Sequence, residues 1–321
     1  MKTAMIIGIS GQDGSYLANF LIKKKYKIIG TTRKKKNLNN IKNHIKLNIH
    51  KKIKIIKLNF LNKRLLSETI LKVKPQEIYF LSSISNINDS IKNTNATIDS
   101  INKGTLNFLE VIKKNNLKNK TKIFFAGSVE CFGYHKDKKP LNENSKFRPK
   151  NPYAIAKTFS YNLVKYYREE FGLKCCTGIL SNHESLLRNN SYVSKKIINY
   201  LNKYNPKVKK KLDLGNINVL KDWGWAPEFV IAFWSILNSK YIDDYLIATG
   251  QSVKLSQFLR YAFMKKNLNW KNHISINHKL IRKSETISNR YDIKKIKKYI
   301  GWKAKIKYKK IIDKMINNIY E

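Results

Sequence analysis

Apolar residues fall into short continuous blocks separated by longer stretches with helical spacing. Ala4-Met-Ile-Ile7 is a run of strand length, and Tyr16-Leu-Ala-Asn-Phe-Leu-Ile22 repeats at helical intervals after a glycine-rich turn. Residues 27–33 read as a second strand and its exit, and the polar, Asn- and Lys-rich residues 37–52 as loop. A third strand follows at 52–58 and a helix at 65–73. Glu77-Ile-Tyr-Phe-Leu81 has the all-apolar centre of a buried strand. Residues 98–115 are helical in period, 121–126 form another strand, and no repeat of 20–50 residues is visible. This βαβα alternation over roughly the first 180 residues predicts an α/β fold with a mostly parallel, doubly wound sheet.

The turn after the first strand carries Gly8, Gly11 and Gly14, spaced G-x-x-G-x-x-G. Strand, glycine turn and helix in that order is the setting of a dinucleotide site. Gly8 permits the tight turn, Gly11 lets backbone approach a pyrophosphate, and Gly14 lets helix pack on strand. The helix N-terminus then offers free N–H groups to phosphate. A carboxylate at the end of the second strand would bind a ribose 2′-hydroxyl. The chain instead has Arg33 followed by Lys34, Lys35 and Lys36, which suits a 2′-phosphate and therefore NADP rather than NAD. The plainer alternative is a solvated basic turn.

Ser128 and Glu130 stand two residues apart at the exit of the 121–126 strand, where both can face one cleft. Tyr153 and Lys157 lie at i and i+4 on a helix entered through Pro152, so they share a face. A phenol with a reference pKa of about 10 is a poor base at neutral pH, and an adjacent ammonium favours its ionised form. Either pair alone has a bland explanation as a turn cap or an exposed helix pair. Together, behind a glycine turn, they read as acid–base machinery beside a nicotinamide.

Longer phrases are more specific. They are Gly8-Ile-Ser-Gly-Gln-Asp-Gly-Ser-Tyr-Leu17, Pro152-Tyr-Ala-Ile-Ala-Lys157, Gly178-Ile-Leu-Ser-Asn-His-Glu-Ser185, Asp222-Trp-Gly224, Asp244-Tyr-Leu-Ile-Ala-Thr-Gly250 and Gly301-Trp302. With these the chain resembles the extended short-chain dehydrogenase/reductases, and within them the GDP-mannose 4,6-dehydratases, over nearly its whole length. The resemblance implies a Rossmann-like domain over 1–183 with segments near 222–240 and 290–317 returning to it. Residues 184–321 would be mainly a smaller, interleaved substrate-binding part. It implies a lyase acting on a GDP-sugar with NADP recycled in the site, and a homo-oligomer. The catalytic set would be Ser128, Glu130, Tyr153 and Lys157. Gly8, Gly11, Gln12, Asp13, Gly14, Arg33, Asn59, Phe60, Leu81, Ser83 and His183 would join Tyr153 and Lys157 around the cofactor. Ser85, Asn182, Val193, Lys196, Lys221, Arg282 and Glu285 would hold the sugar nucleotide, and no metal is implied. His183 reads as a hydrogen-bonding support, and Trp223 and Trp225 as core aromatics. The chain departs from the family pattern at Asn59, at Phe80, Ser82, Ser83 and Ile84, and at Asn86. It departs again at Val129, Leu186-Leu187, Asn189 and Lys221, the last standing where an Arg is expected. A related GDP-sugar such as GDP-manno-heptose, or a reductase or epimerase reaction, is the alternative these changes raise.

The chain has 321 residues, enough for a large core, and carries a formal charge of +44. Such a balance suggests anionic partners, nucleic acid among them. Lys, Ile and Asn are enriched everywhere and no basic helix alternates with aromatics, so a compositional bias explains the charge better than a nucleic-acid patch. A non-enzymatic nucleic-acid-binding reading would also leave Ser128, Glu130, Tyr153 and Lys157 without a purpose. Cys131, Cys175 and Cys176 form no disulfide or metal pattern. No leader and no long apolar run stands out, and the expectation is a cytoplasmic protein.

Overall fold

The computed structural model describes residues 1–32, 42–83, 86–136, 139–208, 210–281 and 289–320. Its strands are β1 (Thr3–Ile7), β2 (Lys27–Thr32), β3 (Lys54–Lys57), β4 (Glu77–Phe80), β5 (Lys122–Ala126), β6 (Cys175–Leu180), β7 (Asn182–Glu184), β8 (Leu212–Leu214), β9 (Leu220–Trp225), β10 (Tyr245–Ile247), β11 (Ser252–Lys254) and β12 (Ile274–Ile276). Seven of them form one sheet in the order β10-β6-β5-β4-β1-β2-β3. Every neighbouring pair in it is parallel. The strand order reverses between β1 and β4, and ligands of open α/β sheets bind outside the carboxyl ends of the strands at that point.

Helices cover both faces. One face buries Leu66, Phe108, Val111, Val164 and Tyr167 from the Lys63–Val73, Gly104–Lys114 and Pro152–Phe171 helices. The other buries Leu17 and Leu21 of the Gln12–Lys23 helix with Phe229, Val230 and Phe233 of the Ala226–Leu237 helix. Strands packed on both sides need apolar residues throughout, and all six residues of β6 are buried. Its adjacent Cys175 and Cys176 therefore enter opposite faces, and both are free thiols.

The smaller lobe builds its core from Ile197, Ile198, Trp223, Trp225, Phe258 and Phe263, so both tryptophans are core residues. Two corrections to the sequence reading follow. Ile311, Ile312 and Met315 of the Tyr308–Ile316 helix pack into this smaller core rather than against the main sheet. The stretch read as loop over 37–52 contains a short Lys42–Lys46 helix and a turn at His50–Lys52. His44 is buried there and meets the Ile9 carbonyl at 2.9 Å, while Asn43 donates to the Ser10 carbonyl at 3.0 Å. Buried His44, with Ile49 in the core beside it, makes this segment a cover for the glycine turn.

The lobes are joined by β7, which pairs in parallel with β9, and by the buried Asp222 carboxylate. Asp222 accepts from the Ser181 hydroxyl at 2.9 Å, the Thr249 hydroxyl and N–H at 2.9 Å each, and the Gln251 N–H at 3.1 Å. Its neighbours in the sequence are thereby fixed, Lys221 included.

Candidate active site

The glycine turn lies at the reversal point. Gly8 has φ +93°, a region open chiefly to glycine, and a Cβ there would lie 3.0 Å from the Ser82 nitrogen. A Cβ on Gly14 would sit 2.3 Å from the Gly8 oxygen, so any side chain would push the helix off the turn. Gly11 caps the Gln12–Lys23 helix without a side-chain acceptor, which leaves the first N–H groups for a ligand. This cradle fits a pyrophosphate. Gln12 donates to the His183 carbonyl at 3.1 Å and accepts from the Ser185 hydroxyl at 2.8 Å. Burial pushes the Asp13 carboxyl up, but the His183 ring 3.0 Å away outweighs it and holds the carboxyl below its usual range. His183 also meets the Ser181 carbonyl at 2.7 Å and stacks on Phe229. Gln12, Asp13 and His183 thus brace the turn against β7.

The sequence-derived cofactor residues on the other side of the cleft divide. Leu81 donates its N–H to the Ile7 carbonyl at 2.9 Å and lies with Ser82 against Gly8, and Ser83 follows half-buried. Asn59 is exposed at the end of β3. Phe60 is 2% exposed and packs edge-on to Phe80 at 5.4 Å. Its ring is core, so a role for its side chain at a ligand is not supported. Phe80 turns into the same aromatic cluster with Phe108 and Phe125 rather than across the crevice. Arg33, Ser85, Arg282 and Glu285 lie outside the described residues.

Ser128, Glu130, Tyr153 and Lys157 meet beyond the end of β5. Ser128 caps a short turn over Val129–Phe132, accepting the Glu130 N–H at 3.2 Å, and hydrogen-bonds the Tyr153 phenol. The helix bearing Tyr153 starts where Asn151 accepts the Ala154 N–H at 2.9 Å and Pro152 takes the first turn. It ends at Gly172, with φ +64°. Lys157 donates to the Ala126 carbonyl at 2.7 Å, with its ammonium 5.7 Å from the Tyr153 ring centre. Burial pushes Lys157 down to about 8. Burial likewise pushes the Tyr153 phenol up; the Ser128 hydrogen bond opposes this, while Tyr192, Cys131 and Glu130 add to it. The expected lowering of the phenol by Lys157 is therefore overridden by desolvation among the chain's own groups.

Among the residues expected at the sugar nucleotide, Asn182 is half-buried on β7 and Val193 begins the Val193–Asn202 helix, with Lys196 exposed on it. Lys221 lies beside the catalytic set. Its ammonium lies 3.3 Å from the Glu130 carboxylate. Sequence reasoning missed Tyr192, which lies close enough to Tyr153 to disfavour its ionisation, and the buried Tyr291, on which Glu130 acts in the same way, because nothing local distinguishes them among 18 tyrosines. It also missed Arg188, which stacks on Tyr192 at 3.6 Å and reaches Glu184 at 3.2 Å. Its place three residues after the Asn-His-Glu-Ser phrase was the available signal.

The family model described as GDP-mannose 4,6 dehydratase matches residues 5–315. The chain belongs to the GDP-mannose 4,6-dehydratase family. A curated relative, GDP-mannose 4,6 dehydratase 1 of Arabidopsis thaliana, is 36% identical over 327 aligned residues, covering 100% of this chain and 90% of that protein. Among solved structures, dTDP-glucose 4,6-dehydratase from Bacillus anthracis in complex with NAD superimposes with a TM-score of 0.85 at 17% identity. That match covers 99% of this chain and 96% of the other. The RMD protein of Pseudomonas aeruginosa, complexed with NADPH, gives 0.79 at 16% identity and 99% coverage of both. At such identities these structures show the shared fold, which accords with membership of the dehydratase family. Among the described residues no helix is long and apolar enough to cross a membrane.

Proposed function

We propose that the chain converts GDP-mannose to GDP-4-dehydro-6-deoxymannose as a hydro-lyase, using NADP that is restored in each turnover. The observation that carries this reading is the Glu130 carboxylate placed beside the Ser128–Tyr153 pair. A reductase or 4-epimerase needs the hydroxyl pair and the lysine but has no work for a carboxylate at that position. The bound nicotinamide supplies a hydride acceptor at C4 and a donor at C6. Ser128 holds the sugar 4-hydroxyl, and Tyr153 takes its proton as C4 becomes a ketone. The ketone acidifies the C5 proton, which Glu130 removes. The 6-hydroxyl then leaves as water with the proton Glu130 took from C5, and the proton Tyr153 took from the 4-hydroxyl is returned to C5 as C6 would receive the hydride. Lys157, held by the Ala126 carbonyl, orients the ribose side of the cofactor and supplies positive charge next to the phenol. Positioning and electrostatics are the protein's share of this chemistry.

The fit of a nicotinamide dinucleotide rests on the glycine cradle and the uncapped helix end. The choice of NADP rests on the basic 33–36 run. The domain reading keeps residues 1–183 as the dinucleotide part and 184–321 as mainly substrate-binding. A cytoplasmic setting agrees with three buried free thiols. Homo-oligomerisation has a candidate face: Ile155, Phe159 and Tyr166 are 52%, 50% and 51% exposed on one helix. Ile98 and Leu106 are exposed on the Thr94–Ile98 and Gly104–Lys114 helices that pack against it. Incubation with GDP-mannose and NADP+ tests the central claim. The expected product is lighter by one water with no net build-up of NADPH, and Glu130→Gln should lose at least about 100-fold in rate. An unchanged product mass, or full activity in that variant, would sink it.

A further inference from the structure

The Thr94–Ile98 and Gly104–Lys114 helices are joined without a break by a π-helical turn over Asp99–Lys103. At its end the Gly104 N–H reaches the Asp99 carbonyl, five residues back rather than the usual four. Single π-turns inside α-helices are rare and recur at functional sites. This one packs against the Pro152–Phe171 helix that carries Tyr153. The Ile101 carbonyl accepts the Thr105 hydroxyl at 2.7 Å and the Ser160 hydroxyl at 3.4 Å. Ser160 also reaches the Asn102 side-chain oxygen at 3.3 Å. Ser160 follows Tyr153 by two turns on the same helix face, so these bonds pin the π-turn to the catalytic helix.

The Ile101 side chain is buried, yet it does not join the core that its own helix feeds through Phe108, Leu109, Val111 and Ile112. It packs with Tyr153 and Ala156, in a cluster separate from the larger ones among the described residues. It also lines a small cavity together with Lys157 and Ser160. A β-branched side chain in a helix holds essentially one rotamer, so Ile101 is a stiff wall for the Tyr153 ring. We propose that Ile101 is a positioning residue for proton transfer at the sugar 4-hydroxyl, set against the Tyr153 ring by the π-turn so that the phenol keeps its aim. The inference rests on the dehydratase reading and deepens it. Truncating Ile101 would open the cavity towards the ring, and a misplacement of about 1 Å at a reacting group costs about 100-fold in rate.

The test compares the full-length parent with Ile101→Val and Ile101→Ala, using GDP-mannose and NADP+. The kcat for loss of water should fall in steps, with Ile101→Val intermediate and Ile101→Ala lower by about 10–100-fold. KM for GDP-mannose and the affinity for NADP+ should stay at the parent's values. Parent-like kcat in both variants, with only a lower Tm, would mean that Ile101 merely fills space and would overturn the inference. A rise in KM at constant kcat would overturn it as well. If Ile101→Ala does not fold, Ile101→Val decides on the same criteria. A second readout is independent of turnover: fluorine NMR of protein labelled with fluorotyrosine, in which the Tyr153 line is the one lost in Tyr153→Phe. That line should shift or broaden in the Ile101 variants, and an unmoved line would overturn the inference. A parent that leaves GDP-mannose intact while the line responds would sink the dehydratase reading alone.

Discussion

Lys157→Met should make the ligand-free protein more heat-resistant while abolishing turnover. Lys157 is 4% exposed, and burial lowers its pKa from 10.5 to about 8. The difference corresponds to about 3 kcal/mol of strain on the folded state when the group is charged in both states. The sign follows from the depressed folded value. Below pH 8 the amine is protonated folded and unfolded, so the whole burden is present. Between pH 8 and 10.5 the folded chain sheds the proton more readily, and the burden fades to nothing. Methionine fills similar volume but forfeits the hydrogen bond to the Ala126 carbonyl, about 1 kcal/mol. The net gain is about 2 kcal/mol near neutral pH, or about 4 °C in Tm for a chain of this size. Thermal melts of the parent and the variant, without cofactor, should show the variant higher near neutrality. The order should reverse as pH approaches 10.5, where only the lost hydrogen bond remains. A variant that melts lower at neutral pH, or a gain that is the same at high pH, would refute the reasoning.

Gly14→Ala places a methyl 2.3 Å from the Gly8 oxygen and 2.8 Å from the Ile9 Cα, so helix and turn must separate. Nicotinamide-dinucleotide binding measured by calorimetry should weaken at least about tenfold, and urea unfolding should show a loss of about 1–3 kcal/mol. Phe159→Glu inserts a charge into the exposed apolar row on the Tyr153 helix. Light scattering over a range of concentrations should show a smaller assembly with an unchanged far-UV spectrum, and an unchanged mass would discard that face as an interface.

Much of the sheet was legible because its strands are buried on both sides and so appear as unbroken apolar blocks, as in 4–7 and 77–81. The glycine turn was legible because backbone geometry there excludes side chains, at Gly8 and Gly14 above all. Tyr153 and Lys157 were legible because helix geometry alone brings i and i+4 together. What escaped depends on chain segments far apart. Lys221 meets Glu130 only because β9 is registered against β7, and that register is set by contacts no local pattern records. Phe60 illustrates the opposite error: an aromatic after a strand end can face a ligand or a core, and Gly104 opens a core slot for it, where a Cβ would lie 2.8 Å from the ring. His44 was hidden in a polar stretch because two buried positions five residues apart, His44 and Ile49, do not make a periodic signal.

The junction at Asp222 has a consequence for how the molecule can be taken apart. The backbone passes between the lobes repeatedly: β6 runs directly into β7, β9 into the Ala226–Leu237 helix, and β10 is followed by β11. No single linker could be cut to release either half intact, and neither half expressed alone would possess all its strands. The cleft walls are consequently one inheritance, and a change at the Asp222 junction should be felt on both of them.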